Sequence, residues 1–453
     1  MQTLDQLKSG QLRGIKKLRL KADLTEFPRE IMELAPTLEY LDLSGNRLKA
    51  LPDDFARLQN LKIAFFSEND FTEFPAVLGA CPNLEMIGFK SCKIATIPEK
   101  AFPIKLRWLI LTNNQLTYLP KSIGKCTRLQ KLMLAGNKLK NLPPEMAACH
   151  YLGLLRIAAN ELIEFPEWLF SLPHLAWLAC AGNPFSFSAP VSHNLPEIPW
   201  SDLTFAEQLG QGASGVIYKG EWESQETANK TQAVAIKIFK GEITSDGLPA
   251  NEMRACMAAG AHPNLVPVLG KISEHPAQKQ GLVLELIPSD FKILGNTPSL
   301  ETCTRDYYDA GTTFTLQQLL TIVSGTAAAV AQLHARGIMH GDLYAHNILI
   351  NEAAKPLFGD FGAASFYDKT DKERATRLER LEVRAFGYLL EDLLNYLDSR
   401  DSTHPSVAII NNLKEACLHP DILQRPDFAT ICEVLEEATT FMVNQKPPAP
   451  LKE

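Results

Sequence analysis

The chain has 453 residues, a length that predicts two or three domains with enough apolar residues to fill their cores. The formal net charge of −7 is spread along the sequence, and no Lys/Arg block exceeds the IKKLRLK run at 15–21, which argues against nucleic acid or an anionic membrane as a partner. Because there is neither a long apolar run nor a basic-then-apolar leader, and the nine cysteines form no CxxC pair, we expect a cytoplasmic protein without a membrane contact.

The first part of the chain carries a repeat of 23 residues. Its units contain the stretches LRLKAD, LDLSGN, AFFSEN, IGFKSC, LILTNN, LMLAGN, LRIAAN and LACAGN. These stretches end at Asp23, Asn46, Asn69, Cys92, Asn114, Asn137, Asn160 and Asn183, so successive units are 23 residues apart, with one interval of 22. The pattern resembles leucine-rich repeats, and the resemblance implies an α/β leucine-rich-repeat solenoid over residues 1–186 with about eight repeats.

The repeated Asn stands where the chain leaves each short strand. Backbone groups that turn out of a strand need a side-chain partner, and an Asn side chain both donates and accepts hydrogen bonds. We therefore expect a ladder of Asn side chains along the solenoid. Asp23 and Cys92 replace Asn in two repeats and should weaken the ladder locally.

The strand residues between the inward-pointing Leu positions should face the concave surface of the solenoid. They form a row rich in large apolar side chains that includes Tyr40, Phe65, Trp108, Ile110, Met133 and Trp177. A solvated face should be mostly polar, so this row predicts a contact surface for a protein substrate or regulator, or for the chain's own C-terminal domain. The alternative interpretation is that one strand position is misassigned and part of the row is core.

Residues 187–199 are rich in Pro and lack periodicity, which predicts a linker before a second domain at 200–440. That domain opens with FAEQLGQGASGVIYKGEW, a strand, a Gly-rich turn and another strand. Glycines in such a turn let the backbone approach phosphates closely. Because a strand and not a helix follows the glycines, the arrangement resembles a protein kinase. The candidate phosphate-loop residues are Gly210, Gly212, Ala213, Ser214, Gly215 and Val216.

Two further segments continue the resemblance to protein kinases. The strand AVAIKIFK contains Lys237, which matches the Lys that pairs with nucleotide phosphates, and the next helix supplies Glu252 as its expected partner. The strand GLVLELIPSD resembles the hinge that receives adenine. The resemblance places Ala235, Leu284, Glu285 and Ile287 at the adenine site.

The stretch MHGDLYAHNILI resembles the catalytic loop of the family. Asp342 matches the Asp that orients the substrate hydroxyl and accepts its proton, and Asn347 matches a metal ligand. Asp360 in FGDFGAAS matches the Asp that binds Mg²⁺. The resemblance implies a bilobal α+β protein-kinase-like domain that binds ATP and Mg²⁺ and transfers the γ-phosphate to a protein hydroxyl of the Ser/Thr type.

Several residues depart from the family pattern. Gly341 replaces the Arg that pairs with a phosphorylated activation segment, and Tyr344 replaces a Lys near the transferred phosphate. Only 19 residues separate Gly362 from the helix expected at Glu382, and no A-P-E lies between them. Two alternatives therefore stay open, a nucleotide-binding pseudokinase scaffold and a small-molecule phosphotransferase of the aminoglycoside-kinase-like type. The tail, residues 441–453, has no packing pattern and is expected to be disordered.

Overall fold

The computed structural model describes residues 2–187, 195–212, 214–223, 231–241 and 243–444. The chain divides into two compact units. The first comprises residues 1–186 together with 243–248, and the second comprises 187–242 and 249–453. Residues 243–248, which the sequence assigned to the second domain, thus belong to the repeat unit, because their side chains pack among the repeats.

The repeat unit is a parallel sheet of eight three-residue strands, one per repeat, in sequential order. A short helix α1 (Leu4–Lys8) precedes the first strand. The strands are β1 (Lys17–Arg19), β2 (Tyr40–Asp42), β3 (Ile63–Phe65), β4 (Met86–Gly88), β5 (Trp108–Ile110), β6 (Lys131–Met133), β7 (Leu154–Arg156) and β8 (Trp177–Ala179). Most repeats return through a short 3₁₀ helix such as Lys121–Lys125. Each strand buries its central side chain, so stacked neighbours close one continuous core.

The predicted Asn ladder is present. Asn137 donates from Nδ2 to the backbone oxygens of Leu111 and Leu134, both at 2.9 Å, and its Oδ1 accepts from the amide of Leu116 at 3.0 Å. At Cys92 the thiol makes weak hydrogen bonds to the backbone oxygens of Phe66, at 3.4 Å, and Lys90, at 3.9 Å. The buried Asn side chains thus satisfy backbone groups of two adjacent repeats, whereas Cys92 satisfies fewer of them.

The row of apolar side chains predicted on the concave face is less exposed than expected at its two ends. Tyr40 is 7% exposed and Trp177 is 2% exposed, so neither offers a free surface. Tyr40 is covered because Arg19 donates to its hydroxyl at 3.0 Å and the ring of Phe65 packs edge-on at 5.9 Å. The indole of Trp177 packs close beside Gly153, where there is no side chain to displace it. The other members of the predicted row are half-buried: Phe65, Trp108, Ile110 and Met133.

The sheet lobe of the second unit has six strands. They are β9 (Glu197–Pro199), β10 (Leu203–Gln211), β11 (Gly215–Glu223), β12 (Thr231–Phe239), β13 (Val268–Ser273) and β14 (Gly281–Glu285), in the spatial order β10-β11-β12-β14-β13-β9. Helix α2 (Pro249–Ala259) follows β12 along the chain. The last residues of the predicted linker at 187–199 form a strand and not a loop. This strand, β9, pairs in parallel with β13, because Ile198 packs in the apolar core of the sheet.

The helical lobe completes the second unit. Its elements are β15 (Lys292–Ile293), α3 (Leu316–Ala335), β16 (Ile338–Met339), β17 (Ile348–Ile350), β18 (Pro356–Phe358), β19 (Ser365–Phe366), α4 (Lys372–Asn395), α5 (Pro405–Cys417) and α6 (Phe428–Asn444). Helix α3 packs against α4 and α6. Asp371 caps α4 by accepting from the amide of Arg374, so this helix begins ten residues before the expected start at Glu382.

Two helices of the helical lobe test the expectations about a membrane span and a disordered tail. By length and composition α3 could cross a membrane, but here it is a core helix, since Leu319 and Val323 are completely buried. Helix α6 continues to Asn444 with Met442 buried, so the first residues of the predicted disordered tail are helical. Residues 445–453 lie outside the described part of the chain.

Candidate active site

A cleft between the two lobes of the second unit contains a cavity of about 430 Å³. Most of its lining is apolar and includes Ile217, Val266, Leu282, Leu349 and Leu357. The polar side chains among the lining residues are Lys237, Glu252, Glu285, His346, Asn347 and Asp360. A mostly apolar cavity with a few convergent polar groups is typical of a small-ligand site.

The turn between β10 and β11 forms one wall of this cleft. The amide of Gly212 donates to the oxygen of Gly215 at 3.0 Å, which closes the turn, and the amide of Lys240 donates to the oxygen of Ser214 at 2.9 Å. Gly210 lines the cavity, and both Gly210 and Gly212 have open space where a side chain would project. Backbone N–H groups at such a turn can be approached closely by phosphates.

The second half of the turn is fixed by the sheet. Val216 pairs with Ile238 across the antiparallel strands. A Cβ at Gly215 would lie 2.6 Å from the oxygen of Ile238, so Gly is required for this close approach. The remaining predicted loop residue, Ala213, lies outside the described residues.

Strand β12 and helix α2 bring Lys237 and Glu252 together. The ammonium of Lys237 donates to Oε1 of Glu252 in an ion pair whose side chains are 15% and 2% exposed. Burial by itself lowers the pKa of Lys237, but the carboxylates of Glu252 and Asp360 more than offset burial and raise the pKa above its ordinary value. Lys237 is therefore a fixed cation at neutral pH, suited to nucleotide phosphates.

The expected adenine side of the cleft is formed by β12 and β14. Ala235 and Leu284 are direct partners in the antiparallel register, and both line the cavity. Glu285 and Ile287 continue the lining where the chain leaves β14. Since the amide of Glu285 is taken by the oxygen of Pro267 at 3.0 Å, a ligand here would use neighbouring backbone groups.

The catalytic-loop residues predicted from the sequence also meet. Asn347 donates from Nδ2 to Oδ2 of Asp342 at 2.8 Å and to the backbone oxygen of Asp342 at 2.9 Å. The first bond fixes the orientation of the Asp342 carboxylate, and the second ties Asn347 to the backbone of the loop. Because both use the amide nitrogen of Asn347, its Oδ1 is left as the atom that could bind a cation.

Asp360, the other metal ligand predicted from the sequence, lines the same cavity as Asn347. Its backbone is left-handed, with φ of 57°, and its Oδ1 accepts from the amide of Gly362 at 3.2 Å. The amide of Gly359 donates to the oxygen of Asn347 at 3.1 Å, which ties the two segments together. Carboxylate and amide oxygens are hard ligands of the kind Mg²⁺ prefers, so Asn347 and Asp360 fit this ion together with phosphate oxygens and water.

Glu382 has a role in the site that the sequence did not reveal. This buried carboxylate accepts from the amide of Gly341 at 2.6 Å and from the amide of His340 at 3.1 Å, and it contacts Nε2 of His334 at 2.8 Å. Gly341 has φ of 73°, a conformation that Gly adopts without strain. Glu382 therefore holds the backbone immediately before Asp342.

Tyr344 replaces the Lys that the family pattern places near the transferred phosphate, but His346 supplies another basic side chain nearby. Tyr344 is buried, donates its hydroxyl to the oxygen of Thr304 at 3.0 Å and stacks on His346. His346 lines the cavity, and its Nδ1 lies 2.7 Å from Oδ1 of the buried Asp306. Burial lowers the pKa of His346, but Asp306 more than offsets burial and raises it. The cleft thus has a basic side chain, His346, two positions after Tyr344, which replaces the Lys of the family pattern. The sequence did not reveal its pairing with Asp306, because the two residues are 40 positions apart.

Comparison with known proteins finds a different family in each part of the chain. Residues 203–387 match the family described as protein tyrosine and serine/threonine kinase, and residues 37–58 and 105–126 match leucine-rich repeats. A probable serine/threonine-protein kinase of Dictyostelium discoideum is 24% identical over 284 residues, which cover 53% of this chain and 28% of that protein. Human serine/threonine-protein kinase A-Raf is 26% identical over 172 residues, which cover 37% and 25%. The chain therefore spans about a quarter of the length of these relatives.

A solved leucine-rich-repeat protein of Leptospira interrogans is also similar, with 32% identity. The match covers 40% of this chain and 46% of that one, with a TM-score of 0.38.

Proposed function

Since residues 203–387 match the protein tyrosine and serine/threonine kinase family and two segments match leucine-rich repeats, we propose that the chain is an ATP- and Mg²⁺-dependent protein kinase that phosphorylates a Ser or Thr hydroxyl. The observation that carries this proposal is the convergence of Lys237, Asn347 and Asp360 on one cavity, with Asp342 held by Asn347. Phosphoryl transfer needs mainly positioning and electrostatic stabilisation, and these residues supply both.

The nucleotide end of the site is formed by the apolar walls, the Gly-rich turn and Lys237. The apolar walls accommodate the base, while the turn amides and the Lys237 ammonium approach the phosphates. Bound Mg²⁺ would neutralise charge on the phosphate oxygens, with Asn347 Oδ1 and the Asp360 carboxylate to hold it. Glu252 keeps the Lys237 ammonium extended into the cleft.

At the acceptor end, Asp342 orients the incoming hydroxyl and accepts its proton as the new oxygen–phosphorus bond forms. The bond that breaks joins the γ-phosphorus to the oxygen of the leaving ADP. Asn347 contributes by holding the Asp342 carboxylate in one orientation. Glu382 contributes by fixing the backbone amides that precede Asp342.

Transfer of labelled γ-phosphate from ATP tests the proposal. Wild type should label itself or a generic protein acceptor on Ser or Thr, and Asp342→Asn should lower the rate by about 10²- to 10⁴-fold, because the proton acceptor is lost. Asp53→Asn, at an exposed position of the repeats, is the matched control and should leave the rate unchanged.

Other outcomes of this experiment identify the alternatives. Nucleotide binding without transfer in wild type would leave a pseudokinase scaffold, which the buried Tyr344 and the missing A-P-E favour. Labelling of an aminoglycoside without labelling of any protein would identify a small-molecule phosphotransferase.

The repeats are proposed to recruit the protein substrate or a regulator. Trp108, Ile110 and Met133 are half-buried on the concave face, and the ammonium of Lys131 lies 4.3 Å from the centre of the Trp108 ring. Aromatic side chains of this kind dominate the energy of protein interfaces. Trp108→Ser should weaken cross-linking to the acceptor without changing transfer to a short peptide, whereas Trp168→Ser, on a 3₁₀ helix outside the strands, should change neither.

The cytoplasm is the proposed location. All nine cysteines are free thiols, and Cys81, Cys126 and Cys149 occupy one recurring buried position in the repeats. Free thiols in this number fit a reducing compartment. Cell fractionation with protease protection would test it, and recovery in a sealed membrane compartment would contradict it.

A further inference from the structure

The segment of residues 243–248, here called the tether, stands between two catalytic elements of the sequence. Strand β12, which carries Lys237, ends before it, and α2, which carries Glu252, begins directly after it. Yet the tether packs as part of the repeat unit and not with the elements it connects. Within it Thr244 and Gly247 are buried.

The tether is folded into a tight turn by its own side chains. The hydroxyl of Thr244 donates to the oxygen of Gly247 at 3.1 Å and accepts from the amides of Asp246 and Gly247 at 3.1 and 3.2 Å. The amide of Thr244 also donates to the oxygen of Gly247, at 2.9 Å. These bonds give the turn one shape and present the carboxylate of Asp246 outward from it.

A repeat side chain receives that carboxylate. Arg156, the last residue of β7, is only 2% exposed, and its Nε donates to Oδ1 of Asp246 at 2.7 Å. Apolar contacts flank the ion pair: a Cβ at Gly136 would lie 2.6 Å from Ile243, and a Cβ at Gly247 would lie 3.0 Å from Ala158. The absence of side chains at these two glycines lets the tether sit close against the repeats.

The ion pair of Arg156 with Asp246 fixes the position of the tether more than it stabilises the fold. Removing two charges from water is costly, and apolar residues of similar size often stabilise a fold as well or better. What an Arg–carboxylate pair adds is a single geometry, because the guanidinium donors have fixed directions. A pair of this kind is suited to holding the tether in one position on the repeats.

We infer that Arg156 is a positioning residue for phosphoryl transfer, acting through Asp246 to fix the start of α2 and so keep Glu252 beside Lys237. Only two residues separate Asp246 from Pro249, the first residue of α2, so a fixed Asp246 leaves the helix start little freedom. The catalytic part of this inference rests on the proposed kinase activity, whereas the restraint on α2 does not. The repeats would then take part in organising the catalytic cleft, besides recruiting a substrate.

Amide hydrogen exchange and steady-state kinetics of the full chain test the inference together. Asp246→Ala should speed exchange within residues 249–259 and lower kcat, each on the order of tenfold, the scale of a lost charge-assisted hydrogen bond. KM for a generic protein acceptor should stay within twofold. Asp246→Asn, which retains one acceptor oxygen for Arg156, should recover most of both effects.

Matched variants separate positioning from general damage to the repeats. Arg107→Gln removes another ion pair of the solenoid, in which Nη1 lies 3.2 Å from Glu85 Oε2, and should leave exchange in α2 and kcat unchanged. Arg156→Gln should reproduce the effects of Asp246→Ala.

Two results would overturn the inference. One is unchanged exchange in residues 249–259 of Asp246→Ala, and the other is an equal rise across all the repeats, which would show unfolding of the solenoid. If wild type transfers no phosphate, the proposed function fails by itself, and the exchange data still decide whether Arg156 restrains α2.

Discussion

The repeat unit and the catalytic cleft fix their polar side chains in different ways. In the repeats one hydrogen-bond pattern occurs six times, at Asn46, Asn69, Asn114, Asn137, Asn160 and Asn183. In the cleft each polar group occurs once and depends on a partner distant in sequence, as Lys237 depends on Glu252. Substitutions in the repeats should therefore remove graded amounts of stability, whereas substitutions in the cleft should remove most of the activity at once.

After Asp342→Asn, the largest effect is expected for Lys237→Met in the cleft. The side chain of Met fills similar space but brings no charge to the nucleotide phosphates, so transfer should fall by about 10²- to 10³-fold. Initial rates at saturating ATP measure this loss. Lys219→Met, on the neighbouring strand β11 with its side chain 44% exposed, is the control and should keep wild-type rates. A fall of less than tenfold in Lys237→Met would remove Lys237 from the proposed phosphate site.

Glu382→Gln should combine a loss of activity with a loss of stability of about 2–3 kcal/mol, since a buried carboxylate with charge-assisted hydrogen bonds becomes a neutral amide. Burial opposes ionisation of Glu382, but His334 and the Gly341 amide more than offset burial and lower its pKa. A carboxyl group with a lowered folded-state pKa stabilises the fold above its unfolded pKa and loses that contribution as the pH falls.

The pH dependence of unfolding therefore gives a second measurement on the same variant. Wild type should lose stability as the pH falls below 4.5, the ordinary pKa of Glu382, and Glu382→Gln should show a flatter dependence in that range. Chemical unfolding at several pH values measures both curves. Parallel curves for the two proteins would show that Glu382 carries no favourable ionisation in the fold.

The comparison also shows what a sequence can reveal about each region. The 23-residue period predicted one short strand in each repeat, and each of β1 to β8 overlaps one of the eight repeated stretches. Periodicity suffices here because each repeat contacts mainly its neighbours. It did not reveal that Tyr40 and Trp177 are buried, since burial on the concave face depends on side chains of other elements.

In the cleft, motifs identified the residues that meet but not what supports them. The structure brings Lys237, Glu252, Asn347 and Asp360 to one cavity. The pairing of His346 with Asp306, the clamp made by Glu382 and the capture of residues 243–248 by the repeats were all missed. Each depends on a contact between residues at least 40 positions apart, which no local pattern signals.

In the repeats, Asn137→Ala should lower the free energy of unfolding by about 1–2 kcal/mol, because backbone groups of two repeats lose a buried partner. Transfer of phosphate to a short peptide should not change. Asn60→Ala removes an exposed Asn whose Nδ2 donates to the oxygen of Pro36, and it should cost less than about 0.5 kcal/mol. Urea unfolding of the full chain, followed by tryptophan fluorescence, compares the two. Equal effects would mean that the ladder does not stabilise the solenoid.

The smallest effect is expected for Cys92→Asn, and its sign is opposite. In neighbouring repeats the Asn Oδ1 accepts from an amide of the preceding repeat, as Asn114 accepts from Ile94 at 3.0 Å. The sulfur of Cys92 instead contacts two backbone oxygens, those of Phe66 at 3.4 Å and Lys90 at 3.9 Å. Asn at this position should add the missing acceptor and raise the free energy of unfolding by about 0.5–1 kcal/mol. Cys81→Asn places the same amide at a buried position outside the ladder, and it should destabilise the protein. If both variants lose stability, the local backbone of each repeat and not the residue type decides whether Asn stabilises this position. The stabilisation by the Asn ladder would then not extend to the fourth repeat.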